Sequence, residues 1–522
     1  MIRTRQLFSL RYSILSHPRT WTRQFTSTSN YYQQKKTNDD DPDHPSNSPP
    51  IVGENGLYYN QFTKQEYENA SKIIQDQIKK LELQIKGDYN IRENIGKMPQ
   101  FPAPSTDVPI KTKVENLTDF FIQTIKLTGP ISLSAYMRQC LTHPEFGYYT
   151  TRDPLDSQHG DFITSPEISS VFGEMIGVWY FSIWQTQKCP NKIRFIEFGP
   201  GRGTLMHDIL VTFNRLVKRV QKDIESEILM IEASNVLRRE QWKLLCGEEN
   251  QFGTTEEGYN VSVTKWGNGI KWLDTEKDIK HTNEYANYII AHEFFDALPI
   301  KSFIRKEQGW RELVVEHSSS VTNTQPKLEG TTPSPNNPLL ETEFHLTTSP
   351  KETPSSIIPT ISSRYRSLPI GSRIEICPDA ELYIMKMIQL LNNTNGAVLI
   401  IDYGLINQIP ENSLRGIHKH KFVSPFILPG QVDLSIDVDF DNLSTISQGL
   451  AQVYGPVKQG DWLHNIGIGY RIDQLLKKNQ GNEEVEDKIY GAYKRLTDEG
   501  EMGGIYKFLA LLPKGSEKPI GF

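Results

Sequence analysis

Residues 194–204 read Arg-Phe-Ile-Glu-Phe-Gly-Pro-Gly-Arg-Gly-Thr. The apolar stretch RFIEF runs directly into a turn that contains Gly199, Gly201 and Gly203, and a helical pattern begins at Thr204. Glycines at a strand-to-helix turn let the backbone approach a ligand closely at a helix N-terminus. The stretch therefore predicts one strand–turn–helix unit of an α/β fold, with a small-molecule site at the turn.

The rest of the chain repeats the alternation of strands and helices. Helical patterns at 204–221 and 235–246 separate short apolar runs that read as strands. The predicted strands are 194–198, 228–232, 288–292, 302–304, 398–402 and 507–512. Strands that are apolar on both faces and alternate with helices are typical of a mostly parallel sheet covered on both sides. The sequence therefore predicts a doubly wound, Rossmann-like α/β domain.

The spacing of the glycines indicates which ligand the turn binds. A dinucleotide site has the pattern G-x-G-x-x-G/A, whereas here the third glycine comes one residue early and Glu197 precedes the loop. The resulting pattern, E-x-G-x-G-x-G, resembles the first motif of class I S-adenosylmethionine-dependent methyltransferases. In such a site Glu197 would accept the ammonium group of the ligand. Glu232, at the end of the next strand, would accept the two ribose hydroxyls.

Two further motifs carry candidate site residues. The first, Ala291-His-Glu-Phe-Phe-Asp-Ala-Leu-Pro299, places Glu293 and Asp296 at a strand end, where two carboxylates and two aromatic rings would suit a cationic acceptor. Asp296 could instead cap a helix, with both rings in the core. The second, Gly160-Asp-Phe-Ile-Thr-Ser-Pro-Glu167, leads into an apolar helix. It is interpreted either as a helix start capped by Thr164 or Ser165, or as a lid over the site.

These motifs occur in one order and are followed by Ile401-Asp-Tyr-Gly404, Val438-Asp-Phe440 and Phe508-Leu-Ala-Leu-Leu-Pro513. The set strongly resembles the MidA family, mitochondrial protein arginine methyltransferases that act as assembly factors of respiratory complex I. The resemblance covers residues 116–515, apart from an insertion.

The resemblance implies a class I methyltransferase fold with extra helical and C-terminal elements, and S-adenosylmethionine as methyl donor. It implies ω-N-methylation of an arginine on the 49 kDa core subunit of the matrix arm of complex I. The cofactor-binding candidates carried over by motif are Glu197, Gly199, Gly201, Gly203, Thr204, Glu232 and Asp161. For localising the arginine cation, Glu293 is the first candidate, and Asp296 and Glu167 are the second.

Composition divides the 522 residues into unlike parts. Residues 1–38 contain seven basic side chains and no acid, with many serines, which is typical of a mitochondrial transit peptide and predicts a matrix location. Residues 39–115 are predicted to be a disordered linker with one helix at about 63–87. Residues 116–522 form the predicted methyltransferase domain, interrupted by a disordered insertion at about 318–360 that is rich in Ser, Thr, Pro and Asn.

The sequence also excludes some classes of protein. No run of about 18 apolar residues is present, so no membrane span is predicted. The four cysteines lie far apart without a C-x-x-C pair, and the H-x-H at His418 and His420 has no third ligand beside it, so no metal site is predicted. The formal charge of −6 argues against nucleic acid binding. An NAD(P)-dependent oxidoreductase and a non-catalytic assembly chaperone remain as alternative functions.

Overall fold

The computed structural model describes residues 57–58, 62–63, 114–151, 164–317 and 344–522. Its strands are β1 (Leu57–Tyr58), β2 (Phe62–Thr63), β3 (Ile131–Ser132), β4 (Lys192–Phe198), β5 (Glu225–Ile231), β6 (Gly253–Thr254), β7 (Asn260–Val263), β8 (Gly269–Leu273), β9 (Ala286–His292), β10 (Lys301–Lys306), β11 (Gly309–His317), β12 (Phe344–Thr348), β13 (Arg373–Ile376), β14 (Gly396–Tyr403), β15 (Arg415–His418), β16 (Lys421–Val423), β17 (Asp433–Ser435), β18 (Gln452–Lys458) and β19 (Tyr506–Leu512).

The α-helices are α1 (Leu117–Thr128), α2 (Leu133–Thr142), α3 (Tyr148–Thr151), α4 (Ser165–Ile168), α5 (Ser170–Thr186), α6 (Thr204–Arg219), α7 (Asn235–Leu245), α8 (Ile357–Ile361), α9 (Pro378–Leu391), α10 (Phe440–Ser447), α11 (Gln459–Ile466), α12 (Ile468–Lys478), α13 (Glu483–Thr497) and α14 (Met502–Ile505). Two short 3₁₀ turns lie at Glu276–Asp278 and Pro354–Ser356.

The largest sheet has nine strands in the order β18-β19-β14-β9-β4-β5-β8-β7-β6. The five strands from β14 to β8 are mutually parallel, whereas β19 runs antiparallel between β14 and β18. When the parallel strands β4, β5, β8, β9 and β14 are numbered 1 to 5 in chain order, they lie across the sheet in the doubly wound order 3-2-1-4-5. Strand β19 is inserted between β14 and the edge strand β18. The predicted α/β fold is confirmed, and β4 and β9 flank the point where the strand order reverses.

Alternate side chains of the central strands pack into two separate cores. Phe195 on β4 faces the core that helices α5 and α6 cover. Its neighbour Ile196 faces the opposite core, which helices α9 and α10 cover. Because successive side chains of a strand point to opposite faces, a sheet covered on both sides needs strands that are apolar throughout. This requirement explains why the predicted bounds of β4, β5, β9, β14 and β19 agree with the structure to within three residues.

A second sheet corrects the prediction for 302–304. This segment lies in β10, but β10 belongs to an antiparallel sheet of order β12-β11-β10-β13, in which β3 also pairs with β11. The predicted end of the insertion, at about residue 360, is also wrong, because the chain joins this second sheet from residue 344. Residues 344–348 form β12, whose Phe344 and Leu346 are buried, and α8 follows. Residues 318–343 lie outside the described residues.

The apolar helix after Pro166 begins later than predicted. The short helix α4 starts at Ser165, and Thr164 at its N-cap makes no side-chain capping bond. The backbone is extended at Ser169, whose hydroxyl accepts a hydrogen bond from the Val171 N–H and caps the long helix α5. Ser169 therefore has the capping role that the sequence assigned to Thr164 or Ser165.

Several predictions concern parts of the chain that the structure does not describe. The transit peptide at 1–38, nearly all of the linker at 39–115 with its helix at 63–87, and the candidate Asp161 lie outside the described residues. Within the described ranges, no helix has both the length and the apolar character that a membrane crossing requires. The same ranges contain no cluster of three side chains suited to hold a metal ion.

Candidate functional site

The carboxyl ends of β4 and β9 form the two walls of one cleft. The cleft opens to solvent. Its lining includes Thr164, Glu167, Glu197, Gly199, Gly201, Thr204, His292 and Glu293. The cleft lies where the order of the parallel strands reverses, which is the usual ligand position in open α/β sheets.

The glycine loop is built on left-handed backbone. Gly199, Gly201 and Gly203 have φ angles of 63°, 53° and 87°, a region that other residues rarely adopt. Gly203 caps helix α6, and a Cβ there would lie 3.2 Å from Cγ of Gln241. The glycines therefore bring the main chain and the positive end of α6 against the cleft without a side chain between them.

Glu197 is buried in the wall formed by β4. Glu197 is 2 % exposed, and no described group donates a hydrogen bond to its Oε2. Burial, with the nearby Glu232 as a smaller cause, raises the pKa of Glu197 well above its ordinary value. A buried carboxylate oxygen without a partner is energetically costly, so this atom is a candidate for binding a donor group of a ligand.

Glu232 is fully buried just after β5, and it is not part of the described lining of the cleft. Its Oε1 accepts a hydrogen bond of 2.7 Å from the Ser234 N–H, and its Oε2 accepts one of 3.3 Å from Nε2 of Gln241. Burial raises its pKa, and the bond from Ser234 opposes that shift. The expected contact with a ribose therefore stays a prediction.

Gln241 is a residue that the sequence reasoning missed. Its Nε2 also donates to the Gly201 carbonyl at 2.6 Å, and its Oε1 accepts from the indole N–H of Trp272 at 2.8 Å. One amide therefore ties the glycine loop to Glu232 and to the sheet. In the sequence, Gln241 is one polar position of the predicted helix at 235–246, and no pattern distinguishes it from the other positions.

Glu293 follows β9 directly and lines the opposite wall. Its backbone is left-handed, with a φ of 48°, and its N–H donates to the Ile401 carbonyl at 3.0 Å. The Tyr506 hydroxyl donates to Glu293 Oε1 at 2.7 Å. Burial raises the pKa of Glu293 to about 8, with Asp296 as a second cause, and the bond from Tyr506 opposes the rise. A strained backbone and a perturbed carboxyl at a cleft wall are features typical of functional sites.

His292 lies beside Glu293 in the cleft lining, with its Nε2 3.8 Å from Glu293 Oε1. Its ring is stacked on Tyr506 and meets the edge of Phe172. Burial lowers its pKa to about 3, so the imidazole is neutral at physiological pH.

Asp296 lies behind Glu293 and is not among the residues that line the cleft. Its Oδ2 accepts a hydrogen bond from the Tyr403 hydroxyl, and no helix follows it, so it is not a helix cap. Phe294 and Phe295 are each 1 % exposed and pack in the core. The expectation that these two rings face a cationic acceptor is therefore wrong, because the turn directs them inward.

The backbone of this turn is held by a residue from the neighbouring strand. Oδ2 of Asp402 accepts from the N–H groups of Phe295 and Asp296 at 2.9 and 3.3 Å. Asp402 and Tyr403 belong to the Ile401–Gly404 motif, to which the sequence assigned no separate role. Their place in β14, next to β9, supplies that role.

Glu167 is an exposed residue in the cleft lining, where Thr204 donates a hydrogen bond of 2.7 Å to its Oε1. This bond joins α4 to the first residue of α6. Glu167 and Thr204, predicted for different roles, are therefore brought together at the mouth of the cleft.

Comparison with known proteins gives concordant matches. A family model whose description reads "Putative S-adenosyl-L-methionine-dependent methyltransferase" matches residues 175–457. The chain is 36 % identical over 391 residues to "Protein arginine methyltransferase NDUFAF7, mitochondrial" of Mus musculus, covering 74 % of this chain and 82 % of the mouse protein. The protein of the same name in Xenopus tropicalis is 33 % identical over 409 residues, covering 78 % and 88 % of the two chains.

A solved structure from Burkholderia thailandensis, bound to S-adenosyl-homocysteine, has a similar fold. It has a TM-score of 0.58 at 20 % identity and covers 78 % of this chain and 93 % of its own. At that identity the likeness supports the fold.

Proposed function

The chain belongs to this family of S-adenosyl-L-methionine-dependent methyltransferases, and from that premise we propose that it methylates an arginine on the 49 kDa core subunit of complex I in the mitochondrial matrix. One observation carries the proposal: the glycine loop and Glu293 line opposite walls of one cleft. A cofactor held by the loop and a cation held by Glu293 would meet there.

The residues of the cofactor wall fit S-adenosylmethionine. The unpartnered Oε2 of Glu197 suits the ligand's ammonium group, and the left-handed glycines leave room for a nucleoside close to the main chain. Glu232 would hold the ribose by exchanging its bond to Gln241 for bonds to hydroxyls. When bound, the cofactor supplies an electrophilic methyl group.

Glu293 would bind and orient the acceptor arginine. A guanidinium next to a buried carboxyl favours the ionised form of that carboxyl, so binding of the cation lowers the pKa of Glu293 from its raised value. Oε1 is occupied by Tyr506, which leaves Oε2 to accept a guanidinium N–H. The carboxylate would then fix one guanidinium nitrogen towards the methyl donor and stabilise the positive charge of the guanidinium.

The choice of arginine rests on the relatives, and the choice of the 49 kDa subunit rests on the resemblance to the MidA family. The relatives named above are called protein arginine methyltransferases and mitochondrial proteins. The basic, acid-free composition of residues 1–38 agrees with that location. Without those residues the chain carries 50 basic and 63 acidic side chains, a balance compatible with a cationic substrate.

A methyl-transfer assay tests the proposal. The enzyme would be incubated with methyl-labelled S-adenosylmethionine and purified 49 kDa subunit, and mass spectrometry would locate the label. We expect label on an arginine. Glu293→Gln should lower the rate by about 100-fold or more, since electrostatic groups at a transition state contribute about 10²–10³. Calorimetry should find its cofactor affinity within a few-fold of wild type.

Glu256→Gln is the matched control, because Glu256 is an exposed acid on a loop. It should keep the wild-type rate. Label on a side chain other than arginine, or no transfer by an enzyme that binds the cofactor, would contradict the proposal. The second outcome would favour the assembly chaperone. Full activity of Glu293→Gln would remove Glu293 from the mechanism.

A further inference from the structure

Two tyrosines lie directly opposite each other behind the wall of the cleft that β9 and Glu293 form. Tyr403 is the last residue of β14 and Tyr506 the first residue of β19, and the antiparallel register pairs them. Their rings meet edge to face, with centroids 5.4 Å apart and an interplanar angle of 79°. The antiparallel strand β19, unlike the parallel strands, thus begins at the edge of the sheet where the cleft lies.

Each tyrosine hydroxyl donates to a different acid of the turn after β9. Tyr506 donates to Glu293 Oε1 at 2.7 Å, and Tyr403 donates to Asp296 Oδ2. A phenol has one hydrogen to donate, so each tyrosine fixes one carboxyl. The Tyr506 ring also lies nearly parallel to the His292 ring, with an interplanar angle of 12° and centroids 6.4 Å apart.

We propose that Tyr506 is a positioning residue, which holds Glu293 Oε1 by its hydrogen bond so that Oε2 is directed to the acceptor. The proposal rests on the proposed role of Glu293 in binding the acceptor arginine. Tyr506 is not among the residues that line the cleft. It acts through the hydrogen bond that it donates.

The groups around Glu293 determine whether loss of the Tyr506 hydroxyl raises or lowers the pKa of Glu293. His292 on β9 is neutral, while Asp296 on the turn and Asp402 on β14 place further acidic groups nearby. Arg415 on β15 lies over the Tyr403 ring and favours the ionised form of Asp296. Glu167 and Glu197 line the same cleft.

Among the contributions to the Glu293 pKa, burial and Asp296 raise it, and the Tyr506 hydroxyl lowers it. Removal of the hydroxyl therefore raises this pKa further.

The test is the pH dependence of Tyr506→Phe, which keeps the ring and removes only the hydroxyl. The acidic limb of the kcat/KM profile reports groups of the free enzyme, so in wild type it should lie near pH 8. A hydrogen bond to a charged group is worth about one pH unit or more. We expect the limb of Tyr506→Phe to lie about one unit higher, with a rate about tenfold lower at pH 7 and mostly restored above pH 9.

A matched control is Tyr454→Phe. Tyr454 lies on the neighbouring strand β18, and its hydroxyl donates to the Ser516 carbonyl at 2.7 Å rather than to a carboxylate. This variant should lose a similar hydrogen bond without moving the acidic limb. A uniform loss of rate at every pH in Tyr506→Phe, or an unmoved limb, would overturn the proposal, since a merely structural role gives that result.

A measurement without substrate separates this proposal from the proposed function. Infrared difference spectra between each protein and its Glu293→Gln counterpart isolate the protonated carboxyl band of Glu293. That band should titrate near pH 8 in wild type and about one unit higher with Tyr506→Phe. If wild type transfers no methyl group but the band shifts, the proposed function fails and the positioning of Glu293 by Tyr506 stands. An unshifted band overturns the role of Tyr506 whatever the activity.

Discussion

The two walls of the cleft hold their glutamates in opposite ways. On the wall formed by β4, Glu197 has an oxygen without a partner, and the adjoining loop is glycine. On the wall formed by β9, the Tyr506 hydroxyl fixes Glu293, and Asp402 holds the turn behind it. An unpaired buried oxygen is stabilised when a ligand supplies a donor, whereas a paired one is oriented before the ligand arrives. We therefore infer that the wall formed by β4 binds the cofactor and that the wall formed by β9 orients the acceptor.

Substitution of the glycine loop should have the largest effect on binding. Gly203→Val places a β-branched side chain at a φ of 87° and brings its Cβ within 3.2 Å of Gln241. Strain of this kind costs about 1–3 kcal/mol, and relief of it would displace the loop. We expect S-adenosylmethionine affinity, measured by calorimetry, to fall by about 30-fold or more.

Gly258→Val is the control for backbone strain. Gly258 has nearly the same φ, 89°, but a Cβ there meets nothing within 4 Å, and the residue lies on a surface turn. It should lose stability through the same strain and keep its cofactor affinity. Equal losses of affinity in both variants would mean that the loop does not form the cofactor wall.

The Glu197→Gln variant should have a smaller effect, of opposite sign on binding and on stability. It removes the charge proposed to bind the ammonium group, so cofactor affinity should fall about tenfold, the order expected for a charge-assisted hydrogen bond. It also removes a buried acid without a full set of partners, so the free energy of unfolding without cofactor should rise by about 1–3 kcal/mol.

The stability gain should depend on pH. At about pH 4 and below, the carboxyl of wild type is protonated in both the folded and the unfolded chain. As the pH rises, the unfolded chain ionises first, because the pKa in the folded protein is raised, and wild-type stability falls. Thermal unfolding should therefore show the advantage of Glu197→Gln growing from pH 5 to pH 8. A constant or shrinking advantage would mean that Glu197 is ionised and paired in the folded protein.

The binding wall is also the part that the sequence predicts well. Strand β4, the loop and helix α6 are contiguous, and strands buried on both faces give unbroken apolar runs. Sequence patterns alone therefore suffice to locate Glu197 and Gly203. Strand β12 was included in the predicted disordered insertion, because this five-residue strand lies next to a long polar segment.

The orienting wall depends on contacts that sequence patterns do not contain. Tyr506 lies 213 residues from Glu293, and only the register of β14 with β19 brings them together. The sequence left the place of Phe294 and Phe295 open, because an aromatic pair at a strand end fits a binding surface and a core equally well. Only the folded chain shows that Phe294 and Phe295 pack in the core.

A crystal structure with S-adenosyl-homocysteine would show directly how the two walls divide the ligand between them. We expect the ligand's amino group to lie within hydrogen-bond distance of Glu197, with the ribose at Glu232 and the sulfur facing Glu293 across the cleft. A ligand bound elsewhere, or one whose sulfur faces away from Glu293, would contradict the division of the cleft into a binding wall and an orienting wall.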